Sequence, residues 1–258
     1  MKVAICVSGI CKGKVQRNLD YASEILDIDR KHFFYSTWKG MEKDCIDAKV
    51  ENFYTFKEPT IHYHPLADIP ELIMPPVYKT WCLRKICQDN TDIALKNKIK
   101  NMTKQIFGHS YLLEKVPPEY DMIVRIRYDT YVTPKLKQEL RELLKVSYSE
   151  SKTIGFGTRT KRHSNMNILK QLPYDVPERY GPSSSHVSND WYGYIMDPMI
   201  YHRRNMFNSQ LVLELHNKNS LLPAERGWYQ ILSQPFNDNH ECFYGGAQIE
   251  RFLSGTNY

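Results

Sequence analysis

Apolar positions along this chain follow two rhythms, alternate residues in some stretches and every third or fourth in others. Lys2 to Val7 is apolar and β-branched and predicts a strand, which Ser8-Gly9-Ile-Cys-Lys-Gly13 interrupts. Val15, Leu19, Ala22 and Leu26 then recur at helical spacing. Lys31 to Trp38, centred on Phe33-Phe34-Tyr35, predicts a second strand with Ser36-Thr37-Trp38 at its exit, and Lys49 to Phe56 a third. Prolines and the histidines His62 and His64 between Pro59 and Pro76 predict a loop. Val77 to Gln88 and Asp92 to Phe107 carry helical stripes, and Pro117-Pro118 closes that region. Thr133-Pro134 predicts a helix start with Leu136, Leu140, Leu143 and Leu144 as its buried stripe. Thr153 to Thr158 comes next as a short strand. Residues 159–188 show little periodicity, and a loop of that length inside a compact domain is functional or disordered. Trp191 to Met196 predicts a strand, Asp197-Pro198 a helix start, and Pro223-Ala-Glu225 the start of a last helix through Trp228 and Ile231.

The stretch Asp121-Met-Ile-Val-Arg-Ile-Arg-Tyr-Asp-Thr-Tyr131 departs from this simple patterning. Its apolar residues predict a strand, on which Met122, Val124, Ile126 and Tyr128 share one face and Ile123, Arg125, Arg127 and Asp129 the other. Burying such charges unpaired is costly, so they pair with one another or meet a ligand at the strand's carboxyl end, where open α/β sheets bind ligands. Two readings are open: a structural Arg127–Asp129 ion pair, or a diphosphate site in which Asp129 holds magnesium or manganese and an arginine faces phosphate oxygens.

Composition narrows the field only modestly. The 258 residues suffice for a full core, and 41% hydrophobic with 25% charged is ordinary for a soluble protein. The net charge of +6 is spread along the chain and suits an anionic small ligand better than nucleic acid. The apolar run Val3 to Val7 is too short for a signal peptide or a membrane span. Six cysteines without a C-x-x-C pair predict reduced thiols in a cytoplasmic setting, host cytoplasm if the source is viral. The histidines His202, His216 and His240 are expected at the surface, and Trp38, Trp191 and Trp228 in the core.

The order strand, glycine-containing loop, helix, strand, helices, charged strand is similar to the nucleotide-sugar-binding half of GT-A glycosyltransferases. Val3-Ala-Ile-Cys-Val-Ser-Gly9 and Phe33 to Trp38 resemble the first two strands of the WavE-like glycosyltransferases of lipopolysaccharide and capsule synthesis, and of related glycosyltransferases of large DNA viruses. Tyr120 to Asp129 resembles their Arg-x-Arg-x-Asp signature, Asn189-Asp190-Trp-Tyr-Gly-Tyr their Asn-Asp segment, and Pro223-Ala-Glu225 their late Pro-Glu. The chain departs from the pattern where Asp129-Thr130-Tyr131 replaces Asp-x-Asp, and where Lys12, Lys14 or Arg17 stands for an arginine after the first loop.

The resemblance implies a single α/β, GT-A-like domain over 1–258, with a Rossmann-like half at 1–133, an acceptor half at 134–258, and a mixed central sheet flanked by helices. It implies a donor site built from Val7, Ser8, Gly9, Arg17, Thr37, Trp38, Arg84, Arg125, Arg127, Tyr128 and Asp129, and a Mn2+ or Mg2+ ion on Asp129 and Tyr131. Asp190 is the expected base of an inverting transfer from a nucleotide-diphosphate sugar to a glycan hydroxyl, with Glu225 second. Two alternatives stand beside it: a sugar-1-phosphate nucleotidylyltransferase, whose longer Gly-rich loop is missing here, and a non-catalytic nucleotide- or carbohydrate-binding module. No nucleic-acid partner is expected, and the oligomeric state is left open.

Overall fold

A computed structural model describes residues 1–9, 15–26, 31–42, 51–57, 104–133, 136–157, 187–188, 195, 197–217, 227–228, 231–232, 240–244 and 247–249, with the backbone alone for 187–188, 240–244 and 248–249. The first strand, β1 (Val3–Ser8), is buried at every position. The helix α1 (Val15–Ile25) covers it with Asn18, Leu19, Ala22 and Ile25, near the expected spacing. Next come β2 (Lys31–Trp38) and a short β3 (Phe53–Phe56), then a helix α2 at 104–113. The chain continues through β4 (Met122–Ile126), β5 (Thr130–Val132), α3 (Lys137–Ser149), β6 (Thr153–Gly157), β7 (Val187–Ser188), β8 (Met199–Arg203), α4 (Ser209–Asn217), β9 (His240–Tyr244) and β10 (Ala247–Ile249).

Eight strands form one mixed sheet in the order β3-β2-β1-β4-β8-β6-β9-β7, and β10 pairs with β5 beside it. β3, β2, β1 and β4 run parallel, while β8 lies antiparallel to both β4 and β6. Strands from both halves of the chain therefore share one sheet, the mixed α/β architecture expected. One face carries Val3, Ile5 and Val7 with Met122, Val124 and Ile126 under α1 and α3. The other carries Ala4 and Cys6 with Ile123 against α2 and Trp228. Each such aliphatic side chain removed from water contributes about 1.5–3 kcal/mol, which is why the two central strands anchor the fold.

Several expectations need correction. The charged strand ends at Ile126 rather than Tyr131, because a turn closes there: Thr130 N–H donates to the Arg127 carbonyl at 3.1 Å, and Arg127 N–H to Thr130 Oγ1 at 3.2 Å. The helix expected from Thr133-Pro134 starts at Lys137, with Leu136 as its N-terminal flank and no side-chain cap bond. Asp197-Pro198 opens no helix; it forms a bend that feeds β8, whose ladders on both sides absorb the backbone donors and acceptors. Ile195 lies outside any strand, and α2 runs past Phe107 to residue 113. The loop expected at 59–76, the helix expected at 77–88, residues 92–103 of the next helix, residues 159–186 of the long loop, and Trp191 and Pro223 lie outside the described residues, while the end of that loop, Val187–Ser188, is a strand, β7.

Candidate active site

β1 has β2 on one side and β4 on the other, so the sheet order reverses direction between them. Open α/β sheets bind ligands at such a switch, beyond the carboxyl ends of the strands. Ser8-Gly9 leaves β1 at that point and Arg127-Tyr128-Asp129 leaves β4; Val7 pairs with Ile126, so Ser8 and Arg127 come next in register on neighbouring strands. By strand alternation both lie on the face that carries Cys6 and Arg125.

The β1 exit is shaped for close approach. Gly9 has φ +124°, a conformation that only glycine adopts without strain, and a Cβ there would meet nothing within 4 Å. Its carbonyl accepts from Thr37 Oγ1 at 3.0 Å, which ties the end of β2 to this loop. Ser8 is fully buried, and its Oγ has no hydrogen-bond partner among the described residues. A buried hydroxyl left in that state is costly. α2 crosses here, with Gly108 accepting from Ser36 Oγ at 3.4 Å and a Cβ on Gly108 lying 3.5 Å from Trp38 and 4.0 Å from Ser8.

The β4 exit holds an alternating cluster of charge. Arg127 donates from Nε and Nη2 to the two oxygens of Asp129, both at 2.8 Å, and from Nη1 to Asp197 Oδ2 at 3.2 Å. The side chains of Arg127 and Asp129 keep 18% and 19% exposure and that of Asp197 only 9%. Arg125, fully buried, donates from Nη1 to the Asp197 carbonyl and from Nη2 to Gln105 of α2 at 2.8 Å, and its guanidinium lies 4.9 Å from the Trp228 ring. Burial opposes the charge of Arg127, but Asp197 and Asp129 together outweigh it and raise its pKa. Arg125 is pushed down to about 10, burial dominating over the attraction of Asp197. Removing one partner from a cluster this enclosed leaves an uncompensated charge and costs about 3–5 kcal/mol.

The other expected donor residues are distributed unevenly. Val7 is core, and Trp38 is 3% exposed against Tyr111. Tyr128 points into the opposite core, where its hydroxyl donates to the Ser36 carbonyl at 3.1 Å; only its backbone stays at the site, its carbonyl accepting from Asn18 Nδ2 at 3.2 Å. Arg17 reaches Asn18 Oδ1 at 3.5 Å, and the bond of Asn18 to the Tyr128 carbonyl brings α1 to the same mouth. Tyr131 stands edge-on to Tyr21 of α1, with ring centroids 5.6 Å apart. Arg84, Asp190 and Glu225 lie outside the described residues.

The donor set does not fit a divalent ion on Asp129. Both carboxylate oxygens already accept from Arg127, and a metal at the usual distance of about 2.0–2.2 Å from either would sit against that guanidinium. Among the described residues no group of three His, Cys, Asp or Glu side chains converges. His202, expected at the surface, is fully buried beside His109, their Nε2 atoms 3.1 Å apart.

Sequence reasoning missed Asp197, Gln105 and Asn18. Asp197 carried a signal, since Asp-Pro favours a turn as well as a helix start, and here the turn aims its carboxylate back at Arg127. Gln105 interrupts the apolar stripe of α2, and Asn18 sits on the buried side of α1. A polar residue at a core position with a long-range partner is visible only once the partner is known.

No family model matches the chain, and no curated protein matches it in sequence. Solved structures of similar outline include 4-diphosphocytidyl-2C-methyl-D-erythritol synthase from Anaerococcus prevotii, at 10% identity over 97% of this chain and 90% of that one, TM-score 0.42. A Staphylococcus aureus TarS fragment solved with UDP-GlcNAc shares 10% identity over 100% of this chain, which spans 62% of that one, TM-score 0.43. A glycosyltransferase involved in glycosylation of the major capsid of PBCV-1 shares 11% identity over 95% of this chain and 83% of that one, TM-score 0.38. The likeness is to nucleotidyltransferases and glycosyltransferases alike and is too distant to choose between them. Only the sheet order and the residues at its switch bear on function.

Proposed function

We propose that this protein is a GT-A-like glycosyltransferase, a single domain over 1–258 that moves a sugar from a nucleotide-diphosphate sugar to a glycan hydroxyl. The observation that supports it best is the Ser8-Gly9 loop and the Arg127–Asp129 turn side by side at the reversal of the sheet. Glycosyl transfer passes through an oxocarbenium-like state while negative charge grows on the departing diphosphate. A guanidinium held in place before the reaction stabilises that growing charge without reorganising. Gly9 lets backbone approach the phosphates, and the buried Ser8 hydroxyl offers a donor beside them. In this reading Asp190 takes the proton from the acceptor hydroxyl in an inverting displacement, with Glu225 as the second choice, and the motifs are those that resemble the WavE-like group.

The test is a thermal shift with UDP, GDP and TDP, followed by transfer assays with the sugar nucleotide of whichever base binds. A nucleoside diphosphate at about 100 times its Kd adds about 2.7 kcal/mol to stability by mass action. Asp190→Asn is expected to keep that shift while transfer collapses. The absence of a shift with every base, both with and without manganese, overturns the reading. Release of pyrophosphate from a nucleoside triphosphate and a sugar 1-phosphate replaces it with nucleotidyl transfer.

A further inference from the structure

The geometry points to Arg127 as the diphosphate-binding cation of this site, standing where a divalent metal is expected, with Asp129 and Asp197 as the residues that hold its guanidinium. The inference rests on the nucleotide-sugar reading above for its physiological ligand, but it concerns the anion alone and can stand without it.

Three observations carry it. The first is donor arithmetic: a guanidinium has five N–H donors, and Arg127 spends one from Nε, one from Nη2 and one from Nη1, leaving two on its Nη atoms. Asp129 grips the Nε side in a fork, which fixes the plane of the group and leaves its remaining donors for a planar or tetrahedral anion. The second is charge. Among the described residues both carboxylates of the cluster, Asp129 and Asp197, already accept from Arg127, so neither is free to hold a cation. A diphosphate arriving at Arg127 meets a guanidinium that keeps its proton at every physiological pH, and its 18% exposure gives a ligand access to it. The third lies on the neighbouring strand: the Ser8 Oγ, fully buried and without a partner among the described residues, follows Val7 as Arg127 follows Ile126 across a parallel pair. Adjacent strands run about 4.8 Å apart, so the backbones at Ser8 and Arg127 stand as neighbours where the two strands end.

Arg125 and Trp228 act behind this pair as positioning groups. Arg125 fixes the Asp197 backbone, and Trp228 fixes Arg125 by stacking, so the carboxylate that meets Arg127 Nη1 is held from the interior.

The experiment is calorimetric titration of the full chain, stripped with EDTA, with inorganic pyrophosphate and with UDP, and repeated in manganese. Pyrophosphate is expected to bind the metal-free protein, and Arg127→Met to weaken that binding by about tenfold or more. Arg127→Lys keeps the charge but not the fork and is expected to recover only part of it. Ser8→Ala is expected to weaken pyrophosphate binding by a smaller factor. Circular dichroism identifies any variant that fails to fold, and the manganese comparison on the unaltered protein tests, without variants, whether a metal is needed. Pyrophosphate binding that appears only with manganese, or that Arg127→Met and Arg127→Lys leave unchanged, overturns the inference and leaves the nucleotide-sugar reading intact. Metal-free pyrophosphate binding that Arg127→Met weakens, with no gain from the uridine of UDP, nor from any other base, upholds the inference and sinks that reading. No metal-free binding of either ligand overturns the inference.

Discussion

Arg127, Asp129 and Asp197 show what a single residue's neighbours decide. The spacing Arg-x-Asp placed two of the three together, since residues two apart on an extended segment share a face. It left open whether the carboxylate meets a guanidinium or a ligand, and the turn at 127–130 settles the geometry by folding Asp129 back onto Arg127. His109 and His202 make the same point in the core. His202 Nδ1 donates to the Arg203 carbonyl at 2.9 Å, so its Nε2 is the acceptor for His109 Nε2–H at 3.1 Å, and both rings are neutral. Burial pushes His202 down to about 4, and burial, His202 and Arg125 together push His109 well below its ordinary value. Below about pH 6.5 the unfolded chain takes up protons that the folded chain refuses, so stability falls as pH drops. Denaturant titrations at pH 7 and pH 5 are expected to differ by about 2 kcal/mol from His202 alone. His202→Gln is expected to flatten that slope, and an unchanged slope would place the proton uptake elsewhere.

At the scale of elements, the first two strands and the first helix were legible because burial there follows the backbone's own period. β2 spans Lys31–Trp38 as its pattern predicts, and α1 buries Leu19 and Ala22 as expected. Element ends were less legible, since ends depend on partners. α2 stops where Arg204, the first residue after β8, turns back on it: Nη2 donates to the Leu113 and Val116 carbonyls, both at 2.9 Å, and Nη1 to the Pro117 carbonyl at 3.0 Å. A cation at the negative end of a helix satisfies carbonyls that have no partner within it. Arg204→Met is expected to cost about 2–3 kcal/mol in denaturant unfolding, since three acceptors lose a charged donor at once. Arg204→Lys, with a point charge and no fork, should recover only part of that loss. Equal stability of the methionine variant would show that solvent serves those carbonyls as well.

Across the whole molecule, β1 and β4 carry the fold because each has a strand on both sides and core on both faces. Amides of Ala4 to Val7 and Ile123 to Arg125 are therefore expected to exchange with solvent most slowly, opening only in global unfolding, while those of β3, at the sheet's end and half-buried throughout, exchange sooner. Equal protection along the sheet would contradict this ranking. No helix among the described residues is long and apolar enough to cross a membrane.

The sequence by itself determined the first two strands and the first helix, the mixed α/β class, and a charged strand leading to the site, because side-chain periodicity is a local property of the backbone. The tertiary structure alone decided what those charges do. Which strand lies beside β1, where Asp197 points, and whether Arg127 answers a carboxylate or offers donors to an anion all depend on groups far apart in the chain, and electrostatic pairing is fixed by distance in space.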